Sequence, residues 1–225
     1  MAELLDGWWQ LAPGFLDGLK WSLLLTICVI AIGYPVGLLL ALVNMAPSRG
    51  GRALSRVVIE LARGVPALVT LYVVYFGLPQ IEIRLPSFLA ATIAIAFTTG
   101  GYTSGIFKAG FLSIDSGQGE AGTSLAMPPR HIFWRILLPQ ALRNVVIPLV
   151  SWLILVFQAT SLAFTVAVPE LMSHAYSWGS STYDYTTPLT LAGLMYAAVS
   201  MLLLLLIAAV KARREPRLER TPAQS

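Results

Sequence analysis

Five stretches of this chain run apolar for about 20 residues, the length of a membrane crossing. They cover roughly 21–44, 57–78, 88–111, 145–164 and 189–210. The last is the plainest, unbroken from Met201 to Ile207, whereas Glu60 and Arg63 spoil the start of the second and the third is rich in Thr and Gly. The pattern predicts an all-α integral membrane protein of five transmembrane helices. It forms one domain over 1–212, with a polar loop at about 115–143 and a charged tail at 213–225. Gly33 to Gly37 and Gly101 to Gly105 are small-xxx-small steps that let helices approach closely, and Pro35 is expected to bend the first helix. The stretch 165–188 is too polar for a sixth crossing. Pro169, Gly179 and Pro188 break it, and Tyr176, Trp178, Tyr183 and Tyr185 suit an interfacial region on the outer side.

Between the third and fourth stretches lies a proline-broken polar island. Ser116 is a candidate N-cap, and Glu120 falls in the first turn, where the helix dipole favours a negative charge. Ala121, Ser124 and Leu125 share one shallow face. The helix is expected to end near Met127, because Pro128 disfavours the α conformation before it. A second helix can start at Pro129, with Ile132, Phe133, Ile136 and Leu137 on one face and Arg130, Arg135 and Arg143 around the rest. Pro139 is expected to end or kink it. Periodicity leaves two readings open: an interfacial linker between crossings, or a short crosswise helix that fits a groove of another protein as a lever.

Charge adds an orientation. Every Lys and Arg except Lys20 and Arg84 falls in the first loop, the island side or the tail, while Glu3, Asp6, Asp17, Glu82, Glu170 and Asp184 fall on the opposite side. The positive-inside rule then places the N-terminus outside and the C-terminus in the cytoplasm. The net charge of +4 and the pI near 9.4 follow from that topology, not from a nucleic-acid patch. Composition agrees: 56% of residues are hydrophobic and 12% charged, with a mean hydropathy of +0.73, against roughly 25% charged in a soluble domain. Membrane lipid is the expected solvent. Cys28 has no partner for a disulfide within the chain, and His131 and His174 lie far apart with no Cys beside them, so no metal site is expected. Glu3 and Asp6, with no basic n-region before an apolar core, argue against a cleaved signal peptide.

No G-x-x-x-x-G-K-S/T phosphate cradle is present. Gly117 to Gly122 matches G-x-G-x-x-G, but it follows an apolar helix rather than a strand, so the match is accidental. An intramembrane enzyme lacks support: there is no G-x-S-x-G elbow, no paired intramembrane Asp and no metal triad. A self-contained channel or secondary transporter would be favoured by an inverted repeat or an intramembrane acid pair, and neither is present.

The island resembles the EAA loop of type I ABC-importer permeases. Glu120, Ala121, Leu125, Ile136, Leu138 and Pro139 fit its pattern; Gly122 stands where a second Ala is usual and Ala126 where Gly is usual. If that position needs a left-handed backbone, Ala there costs about 1 kcal/mol. Similarity to the polar amino acid permease subfamily extends over 60–66, 75–79, 117–121, 138–143, 160–162 and 170–171, in order along the chain. The resemblance implies the type I ABC importer permease fold, with a cytoplasmic coupling helix, in a bacterial cytoplasmic (inner) membrane. It implies a pathway shared with an identical or paralogous permease subunit, driven by an ABC ATPase subunit dimer and fed by an extracytoplasmic substrate-binding protein. ATP and Mg would sit on the ATPase subunits, with no cofactor on this chain. The cargo would be a polar amino acid or a related small zwitterionic solute.

Glu120, Ala121, Gly122, Leu125 and Ala126 are then the expected ATPase contact. Arg63, Thr98, Thr99, Thr103, Gln158, Thr160 and Ser161 are polar at membrane depth and are candidates for the pathway. Against that stand plain structural roles: Ser and Thr bond their own helix backbone, and Arg63 can snorkel to the interface. Two departures from the subfamily stand out. Gln158-Ala159 replaces a usual Lys-Asp pair, and Gly105, after Ser104, replaces a usual Glu. The implied consequence is a smaller contribution to substrate binding than the sister subunit's, or a substrate unlike the basic and acidic amino acids.

Overall fold

A computed structural model describes residues 2–214; the predicted tail lies almost wholly outside them. Helix α1 spans Ala2–Met45 and continues as a helix past Pro13 and Pro35. Its apolar part, Leu11–Met45, begins before the predicted start. Helix α2 spans Arg49–Gly64 and opens on Ser48, whose Oγ accepts the Gly51 N–H at 3.3 Å.

The second apolar stretch is not one straight crossing. Pro66 forces Val65 into an extended backbone (ψ 127°), as a residue before proline requires. The chain restarts as α3, Ala67–Tyr72, which continues through a π turn at Val73–Gly77 and a 3-10 turn at Leu78–Ile81. The two arms meet at 103°. Helix α4 spans Ser87–Leu112, α5 Ser116–Ser124, α6 Pro129–Ile132, and α7 Leu138–Ala159, which tightens into a 3-10 turn at Thr160–Val166. Helices α8, Leu171–Thr182, and α9, Thr186–Arg214, complete the described chain.

Pro139 does not end its helix. A π turn at Phe133–Leu137 precedes it, as one precedes Pro79. Proline lacks an N–H and presses on the carbonyl four residues back; the wider π turn makes room for that defect, so 129–166 runs on as one helix. Gly179 likewise does not break the 165–188 segment. It lies inside α8, buried under Tyr185, where a Cβ would stand 2.5 Å from the ring.

Among the described residues, Leu11–Met45, Pro129–Val166 and Thr186–Ala209 are long and apolar enough to cross a membrane, and the bent pair counts as a fourth span if taken as one. Helix α4 has the length, 26 residues, but its Thr and Gly dilute its hydropathy. It is the central helix, packed on α1, α2, α3 and α7, so it needs little apolar surface of its own. Its closest partner is α1. A Cβ on Gly33 would stand 2.8 Å from Thr99 Cγ2, one on Gly37 would overlap Thr103 Oγ1, and one on Gly100 would stand 2.8 Å from Val36 Cγ1. The expected close approach at Gly33 and Gly37 is therefore an intramolecular α1–α4 seam. The main core beside it joins Leu25, Val29, Leu71, Ala94, Ile95, Val156 and Val166.

Glu170, counted above as an outer-side charge, is fully buried. It caps α8, taking the N–H groups of Met172 at 2.9 Å and Ser173 at 2.8 Å. Tyr196 of α9 donates its hydroxyl at 2.6 Å and Ser22 of α1 donates at 3.3 Å. One carboxyl thus ties three helices. Burial pushes it above the usual carboxylate range, against donors that favour the anion. The folded state then holds this proton more tightly than the unfolded chain. The resulting stability is present below the ordinary value of 4.5 and is lost as pH rises through the folded-state value. Glu170→Ala is expected to cost about 3 kcal/mol, because buried donors lose their acceptor. Glu170→Gln should cost less and flatten the pH dependence of the melting temperature in detergent; equal melting of all three proteins would contradict this bonding.

Candidate functional site

Two features are built for exchange with something outside the chain. The first is α5. Its N-cap is Asp115, not Ser116: Asp115 Oδ1 accepts the Gly117 N–H at 2.7 Å. Its end falls at Ser124, short of the expected Met127. There the Met127 N–H returns to the Gly122 carbonyl at 3.1 Å and the Ala126 N–H to that of Thr123 at 2.9 Å. This is a Schellman closure, which needs a left-handed residue between. Ala126 takes that role, with φ 53°. The condition set by the sequence is met, and the strain is real for a residue with a Cβ. Ala126→Gly should stabilise the turn by about 1 kcal/mol, read as slower amide exchange at 125–127; unchanged exchange would mean the strain is absorbed elsewhere.

The helix is tied to α7 by Gln140 Nε2 donating to Gln118 Oε1 at 3.1 Å, and Asn144 Nδ2 of α7 donates to Ser113 Oγ at the end of α4 at 3.0 Å. Gly122 is buried under Ile132, where a Cβ would stand 2.8 Å away. It faces the chain's own α6 and, unlike its neighbours, presents no open surface. Glu120, Ala121, Ser124 and Ala126 are exposed, and Leu125 is 76% exposed. A groove of about 700 Å³ runs beside them, lined by Glu120, Thr123, Ser124 and Pro129. The interior of α5 is helical through 117–122, so the glycine pattern there is no dinucleotide turn.

The second feature is an open face between α2, α4 and α7. Two cavities, of about 570 Å³ and 360 Å³, share Arg63, Tyr102 and Trp152. The Arg63 guanidinium stands 5.3 Å over the Tyr102 ring. The Tyr102 and Trp152 rings stack at 4.6 Å and 25°. Tyr102 also donates to the Arg63 carbonyl at 3.3 Å. Gly105 leaves the space the guanidinium needs, since a Cβ would stand 3.2 Å from it. Arg63 is exposed and has no ion-pair partner among the described residues. Glu60, one turn earlier on α2, lines a further cavity with Arg63 but forms no ion pair with it. A guanidinium over an aromatic face and outside any ion pair among the described residues can pair with a carboxylate.

The other predicted pathway residues scatter. Thr98 and Thr99 line the smaller cavity. Thr103 is fully buried in the α1–α4 seam and donates to the Thr99 carbonyl at 2.8 Å. Thr160 is fully buried and donates to the Phe157 carbonyl at 2.7 Å. Ser161 donates to the Gln158 carbonyl at 2.8 Å, and Gln158 reaches Ser200 on α9 at 3.3 Å. Sequence reasoning missed Tyr102 and Trp152; the available signal was an aromatic residue inside each of two polar-tolerant helices. Among the described residues no cluster of His, Cys, Asp and Glu could hold a metal ion.

The described residues form a helical bundle with apolar spans and a capped, outward-facing helix between two of its long helices. The chain belongs to the family of binding-protein-dependent transport system inner membrane components, whose pattern matches residues 33–220. It is similar to the arginine transport system permease protein ArtQ of Bacillus subtilis, 32% identical over 192 residues, covering 85% of this chain and 88% of that one. It is also similar to the L-cystine transport system permease protein TcyB of Bacillus subtilis, 32% identical over 179 residues (80% and 75%). A third relative is a putative glutamine transport system permease protein of Rickettsia conorii, 31% identical over 194 residues (86% and 87%). In structure it matches a chain of an amino acid ABC transporter crystallised with histidines, with TM-score 0.85 and 28% identity, over 92% of this chain and 97% of that one. An inward-facing methionine ABC transporter, MetNI, shares the fold with TM-score 0.70 at 19% identity, over 94% and 99%. The chain is therefore a multi-pass membrane permease subunit of an ABC importer, not an enzyme, and the reading of a self-contained channel falls away.

Proposed function

We propose that this subunit carries a polar amino acid or a related small zwitterion along the face between α2, α4 and α7. The observation that carries the reading is Arg63, whose guanidinium stands 5.3 Å over the Tyr102 ring and forms no ion pair among the described residues, in the wall of two joined cavities. An α-carboxylate satisfies such a fork bidentately. The relatives that transport arginine, cystine and glutamine support the substrate class; all three cargoes carry that carboxylate. Gln158 and Ala159 offer no charge to a side chain, which favours a neutral cargo over a basic or acidic one.

Family membership supports the rest of the assembly we propose. A second permease subunit, identical or paralogous, covers the open face. An ABC ATPase dimer, holding ATP and Mg, grips α5 through Glu120, Ala121, Leu125 and Ala126, with Gly122 setting the helix against Ile132. An extracytoplasmic binding protein delivers the solute. We read five crossings, with α2 and α3 sharing the second and α4 serving as the third; the positive-inside bias of the loops supports an N-terminus outside and α5 in the cytoplasm of a bacterial inner membrane.

Arg63→Gln is the test. In proteoliposomes containing the whole importer, uptake of the cognate amino acid should fall about 10- to 100-fold, the scale of a lost charge-assisted pair. Basal ATP hydrolysis should hold. Unchanged uptake would remove Arg63 from the pathway. Replacing Gln158 and Ala159 with Lys and Asp should shift preference toward charged amino acids; unchanged specificity and rate would show that these positions do not select the cargo.

A further inference from the structure

A further cavity, of about 250 Å³, lies between α1, α2 and α4 and shares Arg63 and Gly105 with the larger cavity of the pathway face. The Arg63 guanidinium lies over Gly105, where a Cβ would meet its Nη2 at 3.2 Å, and so belongs to both walls. The further cavity adds Arg56, Glu60 and Lys108, which makes three cations against one acid. None of the four forms an ion pair among the described residues, and all four are exposed, so a solute can reach them. Lys108 is nevertheless held in place. Its Nζ donates to Asn44 Oδ1 at 3.0 Å. Asn44 is buried, and its Nδ2 donates to Ser55 Oγ at 3.2 Å, which in turn donates to the Arg52 carbonyl at 3.1 Å. Because the Ser55 proton is committed to that carbonyl, the amide nitrogen of Asn44 faces Ser55 and the amide oxygen faces Lys108. A neutral amide orients the ammonium without cancelling its charge.

The balance of charge selects the occupant. An inorganic anion offers Glu60 nothing, and a simple cation meets three like charges. An α-amino acid matches both signs: its carboxylate pairs with Arg56 and Lys108, its ammonium with Glu60. Neither cavity of the pathway face is lined by an acid, so Glu60 supplies what they lack. The position suits a later step of the same route. Lys108 lies one turn before Leu112, where α4 ends ahead of α5, and Asn44 lies just before the end of α1. We propose that Arg56, Glu60 and Lys108 form a second station for the cargo, reached from Arg63 on the way to the α5 side, where Glu60 selects zwitterions by taking the α-ammonium. The station rests on the pathway reading given above.

Uptake is measured in proteoliposomes that hold the whole importer. The probe is whichever of the common L-amino acids, each radiolabelled, the wild type takes up fastest. Lys108→Gln should lower uptake about tenfold, the scale of one charge-assisted pair, and Lys108→Arg should restore most of it. Glu60→Gln should lower uptake by a similar factor, and Glu60→Asp by less. The Glu60 carboxylate bonds to nothing among the described residues, so this variant reads function even if Lys108→Gln misfolds. Arg84→Gln, outside these cavities, should change nothing. Wild-type uptake by Lys108→Gln and Glu60→Gln, beside a loss in Arg63→Gln, overturns the second station and leaves the pathway reading standing. Wild-type uptake by Arg63→Gln, or a wild type that takes up none of the amino acids, overturns both. Failure of Lys108→Arg to restore uptake assigns Lys108 to its bond with Asn44 and overturns its role toward the cargo. Faster uptake by Glu60→Gln means that the acid only repels an anion and overturns the selection of zwitterions.

Discussion

Gly37→Val is expected to remove most of the folded chain from the membrane. Gly37 faces Thr103 so closely that even a Cβ overlaps its hydroxyl, and that Cβ would also stand 3.1 Å from the Gly100 carbonyl. Neither neighbour can yield. Thr103 is fully buried with its hydroxyl bonded to its own helix, and Gly100 presents backbone. The helices must separate, and α1 against α4 is the most extensive pairing in the bundle. Overpacking a core costs about 1–3 kcal/mol where side chains adjust; here backbone must move, so about 3 kcal/mol or more is expected. Gly37→Ala should be milder, and Thr103→Ala should partly rescue it by removing the overlapping oxygen. Gly50→Ala, where a Cβ meets open space, should be neutral. Accumulation and detergent melting curves read all four. A Gly37→Val chain that melts like wild type would mean that α1 and α4 do not meet at this glycine.

The second large effect concerns α5. Leu125→Asp is expected to abolish ATPase co-purification and to lower uptake at least tenfold, while the melting temperature of the isolated chain stays put. Leu125 has 76% of its surface open, so its own fold draws little from it; a surface change of this kind costs about 0.5 kcal/mol or less. A contact anchor lost from an interface costs about 2–4 kcal/mol. Gly122→Val should reach the same end from behind. Its side chain would press on Ile132 and tilt α5 while leaving Glu120 and Leu125 chemically intact. Full transport by both variants would show that the helix touches nothing essential.

The fold was legible wherever length and apolarity decide. The third and fifth stretches match α4 and α9, and the fourth lies inside the longer 129–166 helix, because roughly 20 apolar residues have few options other than a helix across lipid. Hydropathy could not see the break at Val65-Pro66, since proline's constraint is on backbone and both arms are apolar. It also could not see that Pro79 and Pro139 are absorbed by π turns. The cap was off by one residue because Asp115 and Ser116 are adjacent and both cap well. Glu170 looked like a surface charge because charge counting has no depth; its donors come from helices 26 and 148 positions away.

The candidate site was legible in part. Glu120, Ala121 and Leu125 stand open, as the resemblance to a coupling loop implied, and the left-handed turn anticipated at Ala126 is present. Gly122 proved to face inward because its neighbour Ile132 lies across the Pro128-Pro129 turn, which periodicity does not fold. Arg63 was singled out as a charge at depth. Its aromatic seat was not foreseen, because Tyr102 and Trp152 come from two different helices and only packing brings them together.

The claim on which the rest depends is that α5 faces the cytosol and engages a motor subunit there. Its direct test is a single thiol at Ser124→Cys in a Cys28→Ala background, probed with a membrane-impermeant maleimide. The thiol should react in inverted vesicles, stay silent in intact cells, and be shielded when the ATPase subunits are bound. Reaction from the outside of intact cells, or equal reaction with and without the ATPase, would contradict the account.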